Sequence, residues 1–255
     1  MKALRAGVKG ERLRRREQGP GSRHLAESVG GRYTAGVGRT GAGIWYWIVI
    51  QIVKFGFYWP TGGIKCYGKR NVPRKGAVLI APNHVSNLDP PATAVMCPRM
   101  LRFMAKEELF HPKFFGRLIS SVGAFPVRRG EGDTEAIRLA IGCLQEGQAV
   151  LVFPEGTRGD GETLGAVNPG VSVFAKRSGA AVVPVALIGT ARKWPRGSKM
   201  PKWGRIVVEF GTPYTYAQTA IHPNERENRE AFTAEWRRQV VEMCARHGVR
   251  LKSAS

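Results

Sequence analysis

Hydrophobic and polar positions follow two rhythms along this chain. From residue 69 onward, short runs rich in β-branched and apolar residues recur between longer stretches whose apolar positions return every three to four residues. The short runs predict strands at Ala77–Ala81, Leu101–Met104, Ala149–Phe153, Ala181–Leu187 and Arg205–Phe210, with shorter ones at Gly63–Tyr67 and Ala124–Val127. The longer stretches predict helices over Pro90–Met96, Glu107–Val122, Asp133–Glu146 and Gly170–Arg177. Strands that are apolar throughout need cover on both faces. The pattern therefore predicts an α/β domain with a largely parallel central sheet flanked by helices, whose ligands bind beyond the carboxyl ends of the strands.

Two segments frame this domain. Residues 44–59, IWYWIVIQIVKFGFYW, are the most apolar stretch and are dense in aromatics, but they include Gln51 and Lys54. A helix needs about 20 apolar residues to cross a bilayer, whereas Trp and Tyr suit the interface, so this is read as an N-terminal membrane-associating helical segment lying in the interface. At the other end, Phe232, Trp236, Val240, Met243 and Cys244 mark the stripe of an amphipathic helix from about 225 to 246 that packs on the core. The predicted division is a basic flexible tail over 1–43, the interfacial segment over 44–66, a catalytic domain over 67–221 and the C-terminal helix over 222–255.

Charge sharpens this picture. The 255 residues hold 40 Lys+Arg against 19 Asp+Glu, a formal charge of +21. Such an excess fits nucleic acid or the anionic headgroups of a cytoplasmic leaflet, and composition alone does not choose. Ten of the basic residues lie in 1–43, beside the aromatic segment. The loop Thr190–Trp203 interleaves five more with Trp194 and Trp203, which predicts a second membrane contact. A nucleic-acid-binding protein would leave that apolar segment without a purpose, and no reading motif is present. The four cysteines lack a C-x-x-C spacing and the histidines lack ligand spacing, so neither a disulfide framework nor a metal site is expected, and a reducing compartment fits.

The candidate chemistry sits where strands end. After the run AVLIAP come Asn83, His84, Val85, Ser86, Asn87, Leu88, Asp89 and Pro90. Asp89 before Pro90 has the form of a helix N-cap. A loop of this length can also fold the carboxylate onto one imidazole nitrogen, leaving the other as a general base. Arg128 and Arg129 follow the run GAFPV, and Phe153-Pro154-Glu155-Gly156-Thr157-Arg158 follows the strand AVLV. Guanidinium groups clamp phosphate bidentately, and turn N–H groups add donors.

The ordered set NHVSNLD, GAFPVRR, FPEGTR and VVPVAL, over about residues 67–213, closely resembles the four blocks of the glycerolipid acyltransferase family, whose central members are 1-acyl-sn-glycerol-3-phosphate acyltransferases. The resemblance implies that His84, partnered by Asp89, deprotonates the acceptor hydroxyl. It further implies that Arg129, Glu155, Gly156, Thr157, Arg158 and Lys106 hold the glycerol phosphate, and that Phe125 and Pro184 line the acyl or acceptor pocket. The implied reaction moves a fatty acyl group from acyl-CoA or acyl carrier protein to the sn-2 hydroxyl of lysophosphatidic acid, giving phosphatidic acid. No cofactor or metal is implied, the enzyme would sit on the cytoplasmic face of an anionic membrane surface, and nucleic acid would not be a partner. The alternative within the family is another lysolipid acceptor. Arg128 stands where many relatives carry an acid, and the chain reads Asn168-Pro169-Gly170 where relatives commonly have a Lys before that Gly.

Overall fold

The computed structural model describes residues 40–127, 134–168, 170–195 and 197–253. Most of the expected basic tail, together with Arg128 and Arg129, lies outside the described residues. A seven-stranded sheet forms the middle layer. Its strands in chain order are β1 (Ile64–Tyr67), β2 (Val78–Pro82), β3 (Leu101–Lys106), β4 (Ala124–Val127), β5 (Ala149–Leu151), β7 (Ala181–Ile188) and β8 (Ile206–Phe210). They lie side by side in the order β1-β8-β7-β2-β5-β3-β4. The five from β7 to β4 are mutually parallel, while β8 runs antiparallel to β7 and carries β1 parallel to itself. The sheet is thus mostly parallel, as the apolar strands predicted.

Alternation along β2 shows how the two cores divide. Val78 and Ile80 join one apolar cluster, and Leu79 and Ala81 the other, because successive side chains of a strand point to opposite faces. The first cluster is roofed by α1 (Thr40–Val53) and α2 (Asp89–Met96) and touches Val122, just after α3 (Lys113–Ser121). The second is roofed by α4 (Thr134–Gln145), α5 (Gly170–Ser178) and α8 (Glu225–Arg246). All five stripe residues of α8 are buried, and Trp236 donates from Nε1 to the Ala81 carbonyl at 2.7 Å, tying the helix beneath β2. The short elements α6 (Thr190–Lys193) and α7 (Tyr216–Thr219), and the two-residue strands β6 (Thr163–Leu164) and β9 (Lys252–Ser253), carry too little periodicity to be read from sequence.

Three local outcomes differ from the sequence reading. The helix expected over Glu107–Val122 is broken: a 3-10 turn at Glu107–Phe110 precedes Pro112, which has no N–H to continue a helical ladder and whose own backbone is extended at ψ 107°, so α3 starts after it. The sheet begins at Ile64, as the run Gly63–Tyr67 predicted, so the boundary drawn at residue 66 for the interfacial segment falls inside a strand. There, Gly62 and Gly63, at φ +112° and +84°, end the helical run and release the chain into β1. A Cβ on Gly62 would come within 2.7 Å of the Gly204 backbone, so this turn admits glycine alone. Finally, α1 runs on through a π-helical turn at Lys54–Tyr58, with Tyr46, Ile50 and Tyr58 buried while Ile44, Trp45, Ile48, Ile52, Phe55 and Trp59 face outward. No helix among the described residues is long and apolar enough to cross a membrane.

Candidate active site

The loop leaving β2 is fixed on three sides. Asn83 exchanges hydrogen bonds with Leu187 on β7, its Oδ1 accepting from the backbone N–H at 2.7 Å and its Nδ2 donating to the carbonyl at 3.3 Å. The backbone N–H of His84 donates to Glu155 Oε1, and the His84 carbonyl accepts from Gly159 N–H, both at 2.8 Å. The imidazole itself stacks on Phe153, with ring centroids 3.9 Å apart and planes 22° from parallel. The segment FPEGTR thus grips the main chain and the ring of His84 at once. β5 lies beside β2, so the two loops leave the carboxyl edge of the sheet as neighbours.

Within this grip His84 Nδ1 lies 2.8 Å from Asp89 Oδ2, and Asp89 is completely buried. The same oxygen accepts from the backbone N–H groups of Val85 and Ser86, each at 2.6 Å. A carboxylate only accepts, so Nδ1 carries the ring proton and Nε2 keeps the lone pair. The expected N-cap role of Asp89 is corrected by the structure. α2 begins at Asp89 itself, and its cap position is Leu88, with no side-chain cap. Pro90 and Pro91 have no N–H to cap, which frees the carboxylate for the imidazole and the loop, while its charge remains favourable at a helix start.

Arg158 Nη1 donates to Asn87 Oδ1 at 2.9 Å, drawing a guanidinium across to the loop of His84. Asn87 was quoted in the motif without a role. The signal that could have singled it out is a short polar side chain two residues before a buried Asp, free to bridge two strand-end loops. Gly156 and Thr157 lie exposed in the same turn, Gly156 at φ +68°, and Lys106 is exposed at the end of β3.

Glu155 is placed differently from a phosphate ligand. Its Oε1 holds the His84 N–H and its Oε2 accepts from Gly165 N–H at 2.9 Å, an approach that leaves no room for a Cβ at residue 165. Burial pushes its carboxyl above the usual range, and the two N–H groups pull it back. Engaged in this way, the carboxylate braces the main chain of His84. Phe125 and Pro184 are likewise packed among core residues, in β4 and in β7 opposite Ala81, because both faces of these strands are covered. Neither lines the cavity of about 760 Å³ that opens between Asn83, Val85, Leu187, Arg192 and His247.

The loop Thr190–Trp203 is only partly a surface feature. Lys193 is buried and donates from Nζ to the carbonyls of Thr61, at 2.5 Å, and Gly204, at 2.8 Å. Trp194 is half-buried, donates to the Ser198 carbonyl and accepts from Ser86 Oγ through its own carbonyl. Trp203, by contrast, is 78% exposed. Trp203→Ala is therefore expected to lower pelleting with anionic vesicles. Trp194→Ala should instead cost roughly 1–3 kcal/mol of stability, read as a lower Tm.

Three comparisons bear on this geometry. The Acyltransferase family model matches residues 63–188, from the start of the sheet to the end of β7. A 1-acyl-sn-glycerol-3-phosphate acyltransferase of Bacillus subtilis is 31% identical over 183 residues, covering 71% of this chain and 88% of that protein. A lyso-ornithine lipid O-acyltransferase of Pseudomonas aeruginosa is 35% identical over 116 residues, covering 45% of this chain and 44% of that protein. The crystal structure of the 1-acyl-sn-glycerophosphate acyltransferase PlsC from Thermotoga maritima superposes with a TM-score of 0.64 at 24% identity, over 78% of this chain and 80% of that one, a likeness of fold. With the His84–Asp89 pair and the FPEGTR turn on the carboxyl edge of such a sheet, the chain belongs to the glycerolipid acyltransferase family.

Proposed function

We propose that this protein transfers a fatty acyl group from a thioester, acyl-CoA or acyl carrier protein, to the sn-2 hydroxyl of 1-acyl-sn-glycerol 3-phosphate, producing phosphatidic acid. The observation that carries this reading is the buried His84–Asp89 pair, 2.8 Å apart, on a loop to which the Arg158 guanidinium is tied. His84 Nε2 takes the hydroxyl proton as the oxygen attacks the thioester carbonyl. The tetrahedral intermediate collapses by breaking the C–S bond, and the departing thiolate receives the proton from the imidazolium. Asp89 holds the tautomer and stabilises the transient cation. The chemistry is complete with side chains, so the reading calls for no cofactor and no metal.

Arg158 and, by resemblance, Arg129 would meet the acceptor phosphate, with Lys106, Gly156 and Thr157 at the rim. Arg158→Ala is expected to raise KM for 1-acyl-sn-glycerol 3-phosphate about 10- to 100-fold, the loss of one or two charge-assisted hydrogen bonds, and to change little for a phosphate-free acceptor. Asn87→Ala should give a smaller rise, roughly 3- to 10-fold, because it only releases Arg158; in the Arg158→Ala background it should add nothing. Steady-state kinetics on both acceptors check this, and equal losses on both would assign these residues to the loop's architecture instead. The Pseudomonas relative named for a lyso-ornithine lipid supports a second reading, another lysolipid as acceptor, which the same acceptor panel decides.

The enzyme would work at an anionic membrane surface, on its cytoplasmic face, held by the outward apolar side of α1 and by Trp203. The +21 charge then serves lipid as surface and as substrate, and nucleic acid has no part in it.

A further inference from the structure

A further outward display of apolar surface, beyond that of α1, lies on α3 and the 3-10 turn before it. Phe114 is 84% exposed, and Phe115 and Leu109 are each more than two-fifths exposed. Large side chains held in water on a short helix mark an interaction surface. The fold fixes this orientation. Gly116, two positions on and hence on the opposite side of the helix, is buried so close to the Phe110 carbonyl that a Cβ would stand 2.5 Å from it. The helix cannot roll to bring Phe114 inward while that contact holds.

The face also has a defined neighbour. Ser121 is seven residues after Phe114, two turns along the same side of α3, and its Oγ accepts from Trp45 Nε1 at 2.9 Å. Trp45 belongs to the outward side of α1, with Ile48, Ile52 and Phe55. The exposed side of α3 therefore continues that of α1. The cations Lys113 and Arg117 flank Phe114 and are exposed, with Lys106 at the start of the crossover; Glu107 and Glu108 lie in the 3-10 turn behind. An aromatic between two long cations suits an anionic bilayer, into which the ring inserts while the ammonium and guanidinium groups snorkel to phosphate.

We infer that α3 is a second bilayer-docking element, inserting Phe114 and Phe115 into an anionic leaflet alongside α1. This rests on the membrane reading above and adds a consequence for the site. α3 follows β3 and precedes β4, and its first turn lies near the carboxyl edge of the sheet. Docking through it holds that edge against the leaflet that supplies the acceptor.

An environment-sensitive dye on single cysteines tests it. In the full chain carrying Cys66→Ser, which removes the one cysteine that is not buried, the dye is placed at Phe114→Cys or at Ile48→Cys. Vesicles of phosphatidylcholine with phosphatidylglycerol are then added. The inference expects a blue shift and a rise in intensity at both positions. A response at residue 48 with none at 114 would overturn the role of α3 and leave docking by α1 standing. Silence at both would remove both readings. A dye at 114 already blue-shifted without vesicles would mean that the chain itself covers the patch, which also overturns the inference. Independently, the double variant Phe114→Ser, Phe115→Ser should bind these vesicles about tenfold or more weakly while keeping its turnover of a short-chain, water-soluble acceptor.

Discussion

Replacing His84 with alanine is expected to lower acyl transfer by a factor on the order of 10² to 10⁴, the usual contribution of a general base, while the fold and vesicle binding persist. The fold should survive because the loop is held mainly by groups other than the ring. The His84 backbone is bonded to Glu155 and Gly159, Asn83 is bonded to Leu187, and Asp89 keeps the N–H groups of Val85 and Ser86. Turnover by thiol release, thermal melting and vesicle pelleting are measured on the same preparation. A variant that melts normally and turns over at the wild-type rate would remove His84 from the mechanism.

Asp89→Asn is expected to separate charge from shape. All three donors around Asp89 converge on Oδ2, whereas Oδ1 is buried with no partner among the described residues. An asparagine can place its amide oxygen where Oδ2 stands, keep the three contacts and turn its NH₂ to the unpartnered side. The tautomer of His84 is then retained, but the negative charge that stabilises the imidazolium is gone. We expect kcat to fall by about 10²- to 10³-fold with a small loss in Tm, consistent with the removal of a strong, desolvated electrostatic contribution. Asp89→Ala, in contrast, leaves buried donors without an acceptor and should cost several kcal/mol, at roughly 1–3 kcal/mol for each. The pair of variants is informative together. If Asn melted as early as Ala, the carboxylate would be an architectural anchor first, and if Asn kept full turnover, its charge would have no catalytic part.

The sheet was legible because its strands are unbroken apolar runs, and such runs leave few ways to hide both faces. What escaped were features whose cause is a main-chain contact that residue type does not announce. Pro112 shows within the chain, yet its effect, a 3-10 turn packed on Gly116, depends on the close approach to Phe110. Lys193 reads as one more cation in a basic loop, and only the carbonyls of Thr61 and Gly204 reveal it as buried. At the site, the spacing of His84 and Asp89 pointed to their contact, since five residues can fold back within one loop. The inward turn of Glu155 could not be read, because its partners lie 71 residues before it, at His84, and ten after it, at Gly165. The resemblance implied that Glu155 holds phosphate, whereas its carboxylate is seen bracing the main chain at His84 and Gly165.

The central claim is direct acyl transfer from a thioester to the hydroxyl of a phosphate-bearing lysolipid, and product analysis addresses it most directly. Purified protein is mixed with vesicles containing 1-acyl-sn-glycerol 3-phosphate and with labelled acyl-CoA or acyl carrier protein, and the lipid, the free thiol and the protein are resolved by mass spectrometry over time. The account predicts phosphatidic acid and free thiol in equal amounts, with no label left on the protein after denaturation. Labelled protein competent to pass its acyl group onward, or the absence of diacyl product from any phosphate-bearing acceptor with either thioester, would contradict it.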